Sequence, residues 1–273
     1  MKAALITGAS GGIGEAFARR LAADGHNLFL VARTEKKLRD LCDELMLEHK
    51  ITARYSAIDL TEFEADRKVY EETEKHEMEI EWLINNAGFG SMGVFADLDL
   101  KRESEMINLN ISVLAALTHR YLKPMRERKS GTIINVASTA GFQPIPFMAT
   151  YAATKAFVRS FSEAIAEENR PFNITVTTLC PGPTDTNFFN VADAKPLQMK
   201  GMQSPEAVVK TALGAVRRKK PSVISGWTNY IGSVLGTFAP NRLVTRVIGS
   251  VLRPKIEEKK RSRNALPADK TQK

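Results

Sequence analysis

The sequence has few residues of the kinds that cross-link small domains or bind metals. Its 273 residues include two cysteines, Cys42 and Cys180, and four histidines that lack the spacing of a metal site. Two isolated cysteines cannot form a disulfide framework, so we interpret both as reduced thiols that pack inside the fold. We therefore expect a protein that works without a metal ion.

Long apolar segments are absent as well. No run of about 18 apolar residues could cross a membrane, and a predicted strand begins at residue 2, where a signal peptide would otherwise lie. These two features predict a cytoplasmic location.

Basic charge is present but unevenly placed. The net charge is +8, and residues 253–273 contain eight Lys/Arg and three Asp/Glu, so +5 of it lies in this C-terminal segment. The remaining +3 is spread over the rest of the chain, which does not favour binding to nucleic acid. From residue 255 onward the charged segment lacks apolar spacing, which predicts a disordered tail over 255–273.

Short apolar runs alternate with amphipathic stretches through the first 225 residues. This alternation predicts an α/β domain with a doubly wound parallel sheet and helices on both faces. Residues 226–254 form a predicted amphipathic helical extension. Predicted strands cover 2–6, 27–32, 52–57, 80–84, 132–136, 174–179 and 221–224, and predicted helices cover 12–24, 35–48, 61–76, 101–128, 151–169 and 204–219.

A glycine-rich turn joins the first predicted strand to the first predicted helix. It has the pattern T-G-x-x-x-G-x-G, with glycines at positions 8, 12 and 14. Glycines permit a tight turn and close backbone approach, and the start of a helix offers free N–H groups to a phosphate. Taken alone, the pattern fits either an ordinary structural turn or a phosphate site.

Further motifs follow in a fixed order along the chain. They are Asn85-Asn86-Ala87-Gly88, Ser138, Tyr151-x-x-x-Lys155 and Pro181-Gly182, each at or just after a predicted strand or at the start of a helix. From residue 2 to about residue 186, the sequence resembles the short-chain dehydrogenase/reductase family. The resemblance implies a Rossmann-like fold and a nicotinamide cofactor bound at the glycine turn.

The end of the second predicted strand favours NADP over NAD. An acid there would bind the ribose hydroxyls of NAD, but the sequence has Arg33, and a guanidinium suits a 2′-phosphate. The resemblance implies a contact of Asp59 with the adenine, although Asp59 could equally cap the helix that follows. The expected cofactor residues are Gly8, Ser10, Gly12, Ile13, Gly14, Arg33, Asp59, Leu60, Asn86, Ala87, Gly88, Tyr151, Lys155, Pro181, Gly182, Thr184 and Thr186.

The catalytic set implied by the resemblance is Asn110, Ser138, Tyr151 and Lys155. Tyr151 and Lys155 are four residues apart and share a helix face, so we expect the ammonium to lower the pKa of the phenol. In the family, the serine binds the reacting oxygen and the asparagine supports a proton relay. Asn108 is the alternative to Asn110 for the residue that supports the proton relay, and the number of residues counted back from Ser138 favours Asn110.

Apolar residues lie near the expected substrate position, and they predict a pocket formed by Phe89, Phe142, Phe147, Met148 and Phe188. We therefore expect a hydrophobic ketone or aldehyde, or the corresponding alcohol, as substrate. Two alternatives remain open at this point. The chain could be a non-redox enzyme that retains NAD(P), such as an epimerase or dehydratase, or a cofactor-binding regulator.

Two amphipathic segments end the interpretable part of the sequence. Segments 227–238 and 243–252 each carry an apolar stripe at helical spacing, and Arg242, Arg246 and Arg253 lie beside the second. They could roof the substrate pocket, form a subunit interface or lie on a membrane as a peripheral contact. The resemblance also implies a homodimer or homotetramer that pairs through helices 101–128 and 151–169, where residues 157, 161 and 165 are apolar.

Overall fold

The strands of the protein form one parallel sheet. The computed structural model describes residues 1–194 and 201–265, with side chains to residue 258. Within these residues, seven strands pair in the order β3-β2-β1-β4-β5-β6-β7, and every pair is parallel. The strands are β1 (Lys2–Thr7), β2 (Asn27–Ala32), β3 (Ala53–Ala57), β4 (Glu79–Asn85), β5 (Gly131–Val136), β6 (Ile174–Cys180) and β7 (Ser222–Ile224).

Helices cover both faces of this sheet, as the alternating sequence pattern predicts. Residues of α1, α2 and α8 form one apolar core against it, and residues of α3, α5 and α6 form a second core on the opposite face. The helices are α1 (Gly12–Ala23), α2 (Glu35–His49), α3 (Ala65–Lys75), α4 (Leu100–Ile107), α5 (Leu114–Glu127), α6 (Ala149–Asn169), α7 (Phe188–Val191), α8 (Pro205–Arg217), α9 (Trp227–Phe238) and α10 (Asn241–Ala265).

The order of the strands fixes where a ligand can bind. The chain builds outward from β1 to β3 on one side, then returns to place β4 against the other side of β1. Loops at the carboxyl ends of β1 and β4 therefore diverge, which opens a crevice at that edge of the sheet. The glycine turn follows β1 and the Asn86-Ala87-Gly88 segment follows β4, so both lie at this crevice.

Two predicted helices differ from the structure. The predicted helix over 61–76 begins at Ala65, because residues 58–64 form turns that connect it to β3. The predicted long helix over 101–128 is helical throughout but changes type, with a π-helical segment, Asn108–Val113, between α4 and α5. The apolar periodicity could not reveal this change, because one wider turn alters the register by a single residue.

The predicted disorder of the tail is wrong for residues 255–265. Helix α10 continues to Ala265, and Ile256 is buried. The reason is an apolar stripe at four-residue spacing, formed by the partly buried Val244 and Ile248 and the buried Leu252 and Ile256, which extends past the point where charged residues become frequent. Residues 266–273, the remainder of the predicted tail, lie outside the described residues.

Cys42 and Cys180 are free thiols, and both are buried. In the described part of the chain, no three His, Cys, Asp or Glu side chains are grouped so that they could hold a metal ion. A search of the same residues for a helix long and apolar enough to cross a bilayer finds none.

Candidate active site

A cavity of about 780 Å³ lies at the carboxyl edge of the sheet, over the crevice between β1 and β4. It extends from the glycine turn to Ser138, Tyr151 and Lys155 and ends against α9. Its size is that of a site for a cofactor-sized ligand. Most of the residues expected to bind cofactor or substrate surround this one cavity.

The glycine turn presents bare backbone to the cavity. Gly12 has φ +57°, a conformation that side chains rarely adopt, and a Cβ there would lie 2.9 Å from Cγ2 of Thr186. Gly14 does not line the cavity. A Cβ on Gly14 would overlap the carbonyl oxygen of Gly8, so this residue lets α1 pack directly against the turn. Gly8, Ser10 and Ile13 line the cavity beside them.

Thr7, the threonine that opens the T-G-x-x-x-G-x-G pattern but was not among the expected site residues, fixes the segment after β4. Its hydroxyl accepts hydrogen bonds from the N–H groups of Asn86 and Ala87, both at 3.0 Å, and donates to the carbonyl of Ile84. The amide of Asn86 returns a bond of 2.9 Å to the carbonyl of Thr7. These contacts hold Asn86, Ala87 and Gly88 at the cavity wall. A threonine at the end of a buried strand was the available sequence signal.

Arg33, Asp59 and Leu60 lie together at the end of the cavity near β2 and β3. Burial opposes ionisation of Asp59, but hydrogen bonds from the N–H and hydroxyl of Thr61 and the charge of Arg33 hold its pKa below the usual value. Asp59 therefore does not cap α3, which begins at Ala65. It stabilises the turn that follows β3 and stays charged beside Arg33.

Lys155 is buried, with 5% of its surface exposed, yet its Nζ reaches the cavity. Nζ donates a 2.9 Å hydrogen bond to the carbonyl of Val136 at the end of β5. Burial lowers the pKa of Lys155 to about 8, because the charged ammonium loses its hydration. An ammonium has three donors, so Lys155 retains hydrogen-bonding capacity toward the cavity.

Tyr151 lies one helical turn before Lys155, with its ring centroid 5.9 Å from Nζ. Burial raises the pKa of Tyr151 to about 12, and a hydrogen bond from Ser138 only partly opposes this effect. The expected lowering by the ammonium is therefore not what the structure shows. The loss of hydration outweighs the hydrogen bond from Ser138, and at neutral pH the phenol keeps its proton.

Asn110 lies in the π-helical segment and is fully buried. Its side-chain amide bonds to the backbone of Phe89 at both the N–H (3.2 Å) and the carbonyl (2.9 Å), and it also donates to the hydroxyl of Thr154. Its competitor Asn108 instead donates to the carbonyl of Thr61 and makes no hydrogen bond with Phe89. Asn110 therefore holds Phe89 at the cavity wall and links it to α6.

Pro181, Gly182, Thr184 and Thr186 follow β6 and border the cavity. Thr184 donates to the carbonyl of Gly182 at 2.9 Å, so the loop folds back on itself. The N–H of Thr139 donates to the carbonyl of Pro181, which fixes the loop beside the segment that carries Ser138.

The apolar part of the cavity differs from its expected composition. Phe89, Met148 and Phe188 line it, and the Phe188 ring lies 5.2 Å from that of Tyr151. Phe142 and Phe147 do not. Phe142 is drawn into a core cluster under the guanidinium of Arg159, and Phe147, with φ +66°, faces a separate groove against α10.

Helix α9 closes one side of the cavity, as one of the alternatives for this segment anticipated. The face that it presents is polar and small, formed by Thr228, Asn229, Gly232 and Ser233. Sequence reasoning could not find these residues, because it considered only the apolar stripe of this helix and left open which surface the stripe would contact. That stripe instead faces outward.

Comparisons with known proteins agree with this geometry. The family model described as short chain dehydrogenase matches residues 2–196. A 7beta-hydroxysteroid dehydrogenase of Mediterraneibacter gnavus is 32% identical over 229 residues, which cover 82% of this chain and 86% of the relative. A very-long-chain 3-oxoacyl-CoA reductase of Laccaria bicolor is 32% identical over 219 residues, and the match spans 78% of this chain but only 62% of that relative's length.

Solved structures give the same result. A structure described in a study of 7beta-hydroxysteroid dehydrogenase stereoselectivity superposes with a TM-score of 0.82 at 27% identity, covering 91% of this chain and 96% of that chain. A short-chain dehydrogenase from Sphingobium yanoikuyae in complex with NADPH superposes with a TM-score of 0.78 at 30% identity, covering 86% and 94%. Fold, cavity and similarity therefore lead to one conclusion: this chain belongs to the short-chain dehydrogenase/reductase family, nicotinamide-dependent oxidoreductases that act on CH–OH or carbonyl groups.

Proposed function

We propose that this protein is an NADP(H)-dependent oxidoreductase that interconverts hydrophobic ketones or aldehydes and their alcohols. One observation carries the proposal. A single cavity joins a backbone cradle for a pyrophosphate, a basic end at Arg33, the group Ser138–Tyr151–Lys155 and an apolar wall.

The residues present fit a nicotinamide dinucleotide. The turn at Gly12 leaves the space that a Cβ would fill, and the first N–H groups of α1, which have no side-chain cap, are available to an anion there. Asn86, Ala87 and Gly88 would lie along the sugar, and Pro181 to Thr186 would border the nicotinamide. Bound NADPH would supply a hydride equivalent to the carbonyl carbon.

Tyr151 is the proton donor in this proposal. Its raised pKa keeps the proton on the phenol at neutral pH, and the hydrogen bond with Ser138 directs the hydroxyl toward the position of the substrate oxygen. As charge develops on that oxygen, Ser138 and Tyr151 stabilise it and Tyr151 transfers its proton. The ammonium of Lys155 then stabilises the phenolate, and alcohol oxidation runs through the same groups in reverse.

The choice of NADP over NAD rests on charge at the β2 end of the cavity. Arg33 and Lys37 both line it, and neither forms an ion pair with a described residue. Two cations four positions apart in sequence, both at this end of the cavity, favour the doubly charged 2′-phosphate. Asp59 is adjacent, but its side chain is engaged by Thr61.

The apolar wall defines the class of substrate. Phe89, Met148 and Phe188 surround the space in front of Tyr151, and Ile145 and Phe189 extend it. Such a wall binds bulky apolar groups and offers little to a sugar or a small hydroxy acid. The related enzymes named for oxoacyl thioesters and hydroxysteroids suggest the two chemical classes to test first.

We also propose assembly through the outer surface of α4, α5 and α6. Phe157 is 38% exposed and stacks on Phe161 with 5.5 Å between the rings, whereas Ile165 belongs to the core. Exposed aromatic surface on a long helix is suited to a two-fold contact between subunits, so we expect a homodimer or a homotetramer.

The test is NADPH oxidation, followed by absorbance, against a panel of long-chain 3-oxoacyl thioesters, oxosteroids, bulky aromatic ketones and short polar aldehydes. We expect turnover on apolar members only. Tyr151→Phe should lower turnover by about 10²-fold or more while leaving NADPH binding nearly intact, since the variant lacks only the transferable proton. A variant that keeps more than about a tenth of the activity would exclude Tyr151 as the acid.

A further inference from the structure

Helix α9 is oriented opposite to an ordinary surface helix. Its small and polar face lines the cavity, while its large apolar residues point away from the protein. Trp227, Leu235 and Phe238 are 74%, 65% and 84% exposed, and Tyr230 and Ile231 are exposed between them. A helix that only roofed a cavity would bury its apolar stripe, because exposing it forfeits the hydrophobic stabilisation of several large side chains.

Helix α10 extends this apolar surface. Its buried face carries Leu252 and Ile256, but a second stripe at four-residue spacing is more than half exposed. Together the two helices form an outward surface, here called the α9–α10 face. It consists of Trp227, Tyr230, Ile231, Leu235, Phe238, Leu243, Val247 and Val251.

The charge beside this face has one sign. Arg242, Arg246 and Arg253 are exposed, lie on the flank of the α10 stripe and form no ion pair with a described residue. No Asp or Glu occurs between residues 207 and 256, and residues 226–273 contain ten Lys/Arg against three Asp/Glu. The segment therefore holds +7 of the net charge of +8.

We propose that the α9–α10 face docks on the surface of a membrane that contains anionic phospholipid. Exposed apolar side chains flanked by arginines match the boundary between acyl chains and negatively charged headgroups. Trp227 and Tyr230, whose rings stack with centroids 6.0 Å apart, are the amphipathic aromatics favoured at this depth.

A second copy of the chain is a poorer occupant of this face. A two-fold contact would bring the same patch of each copy together, so the arginines of one copy would approach those of the other. Like charges brought together at an interface destabilise it. Headgroup phosphates supply the opposite charge and avoid this conflict.

A second groove lies at the edge of the face and supports the same occupant. It is formed by the Phe147 segment and α10, and its lining includes Arg246, Ser250 and Arg253. Two guanidinium groups on one side of a helix can bind a phosphate by charge-assisted hydrogen bonds. The groove therefore adds anion-binding groups beside the α9–α10 face.

The first experiment is flotation of the full chain with vesicles. At low salt, protein should float with vesicles of equal parts phosphatidylcholine and phosphatidylglycerol, and much less with phosphatidylcholine alone. Salt near 1 M shortens the Debye length to about 3 Å and should release most of it. Absence of lipid-dependent flotation at low salt would overturn the proposal.

A tryptophan reporter identifies the face that binds. The chain has two tryptophans, and Trp82 packs against the core, so Trp82→Phe leaves Trp227 as the only one. Addition of anionic vesicles should shift the Trp227 emission to the blue and protect it from an aqueous quencher. Flotation with an unchanged Trp227 spectrum would show that another surface binds and would refute the α9–α10 face.

A matched pair of variants tests the apolar contribution. Leu235→Ser with Phe238→Ser removes a leucine and a phenylalanine from the face, and Leu47→Ser with Phe63→Ser removes the same types, each 87% exposed, elsewhere. The first variant should weaken vesicle partitioning by about tenfold or more, since it removes apolar area that the bilayer would bury. The second variant should leave partitioning unchanged. Circular dichroism confirms folding, and equal behaviour of the two variants would contradict the proposal.

A second matched pair tests the arginines. Replacing Arg242, Arg246 and Arg253 with glutamine should abolish most binding and its salt dependence. The control variant removes the same net charge elsewhere. It replaces three exposed arginines, which are Arg39 on α2 and Arg217 and Arg218 at the end of α8. Equal weakening by both triple variants would mean that net charge alone attracts the protein, and this would contradict the proposal. If the protein is a dimer and Leu235→Ser/Phe238→Ser dissociates it, the face belongs to a second copy of the chain instead of a membrane.

Discussion

Burial of Lys155 has a consequence for stability that can be measured without any substrate. The pKa of this lysine falls from the usual 10.5 to about 8 in the folded protein, and the cause is burial. In the unfolded chain the group is hydrated and keeps its ordinary pKa. At pH 7 both states carry the charge, and the folded state bears the full cost of burying it.

The magnitude follows from the shift. One pKa unit corresponds to 1.36 kcal/mol, so a shift of this size is worth on the order of 3 kcal/mol. Between about pH 8 and pH 10.5, the folded protein has released the proton and the unfolded chain still binds it. Stability rises with pH wherever the unfolded state binds more protons, so this contribution increases through that window.

Lys155→Met provides the comparison. The free energy of unfolding of the cofactor-free protein, measured by urea at constant ionic strength, should rise between pH 7 and 10 by about 3 kcal/mol more in the native chain than in the variant. Loss of the hydrogen bond to Val136 changes the offset between the two profiles but not their slopes. The buried thiols of Cys42 and Cys180, whose pKa values burial raises to about 12, ionise only in the unfolded chain over this range, but they do so in both proteins and cancel in the difference.

Parallel profiles would refute this reasoning. If the difference between the two proteins changes by less than about 1 kcal/mol over the window, the ammonium is not desolvated to the extent that the structure indicates. Lys155 would then have solvent or an anionic partner in the free enzyme. Its role toward the phenolate of Tyr151 would also need revision, because a hydrated ammonium stabilises a neighbouring charge less strongly.

Three further predictions concern other parts of the protein. Arg33→Ala should weaken NADPH binding by about tenfold or more and NADH binding little, since charge-assisted hydrogen bonds contribute about 1.5–3 kcal/mol; equal losses in fluorescence titration would contradict the assignment. Phe157→Asp should convert the oligomer to a smaller species in light scattering, whereas Leu47→Asp should not, and a wild-type monomer would reject the interface. Gly14→Ala should lower the free energy of unfolding by about 1–3 kcal/mol, because its methyl group would overlap the carbonyl of Gly8; an unchanged urea midpoint would show that α1 can shift.

Apolar periodicity predicted most of the regular structure. The strands are short continuous apolar runs, as expected of a parallel sheet covered on both faces, and their alternation with amphipathic segments predicted the doubly wound arrangement. The tail was the main error. Two glutamates and several lysines masked a helix whose buried stripe continues to Ile256.

The spacing of the chemical groups was also readable, but their environment was not. A spacing of four positions from Tyr151 to Lys155 places both on one helix face, and this holds in the structure. The direction of the tyrosine pKa could not be read, because it depends on how much water the surrounding segments remove. That amount is set by segments distant in sequence, among them Gly90 after β4 and Phe188 after β6, which lie against the ring of Tyr151.

By itself, the sequence determined the elements, their order and the residue types available at the carboxyl edge of the sheet, because these follow from local patterns. Only the tertiary structure decided which side of each element faces inward. Phe142 and Phe147 turn away from the cavity, and α9 presents Asn229 and Ser233 to it while Trp227 faces outward. Helical periodicity defines a stripe but not the surface that covers it, and that surface is formed by parts of the chain, or of its surroundings, that no local pattern contains.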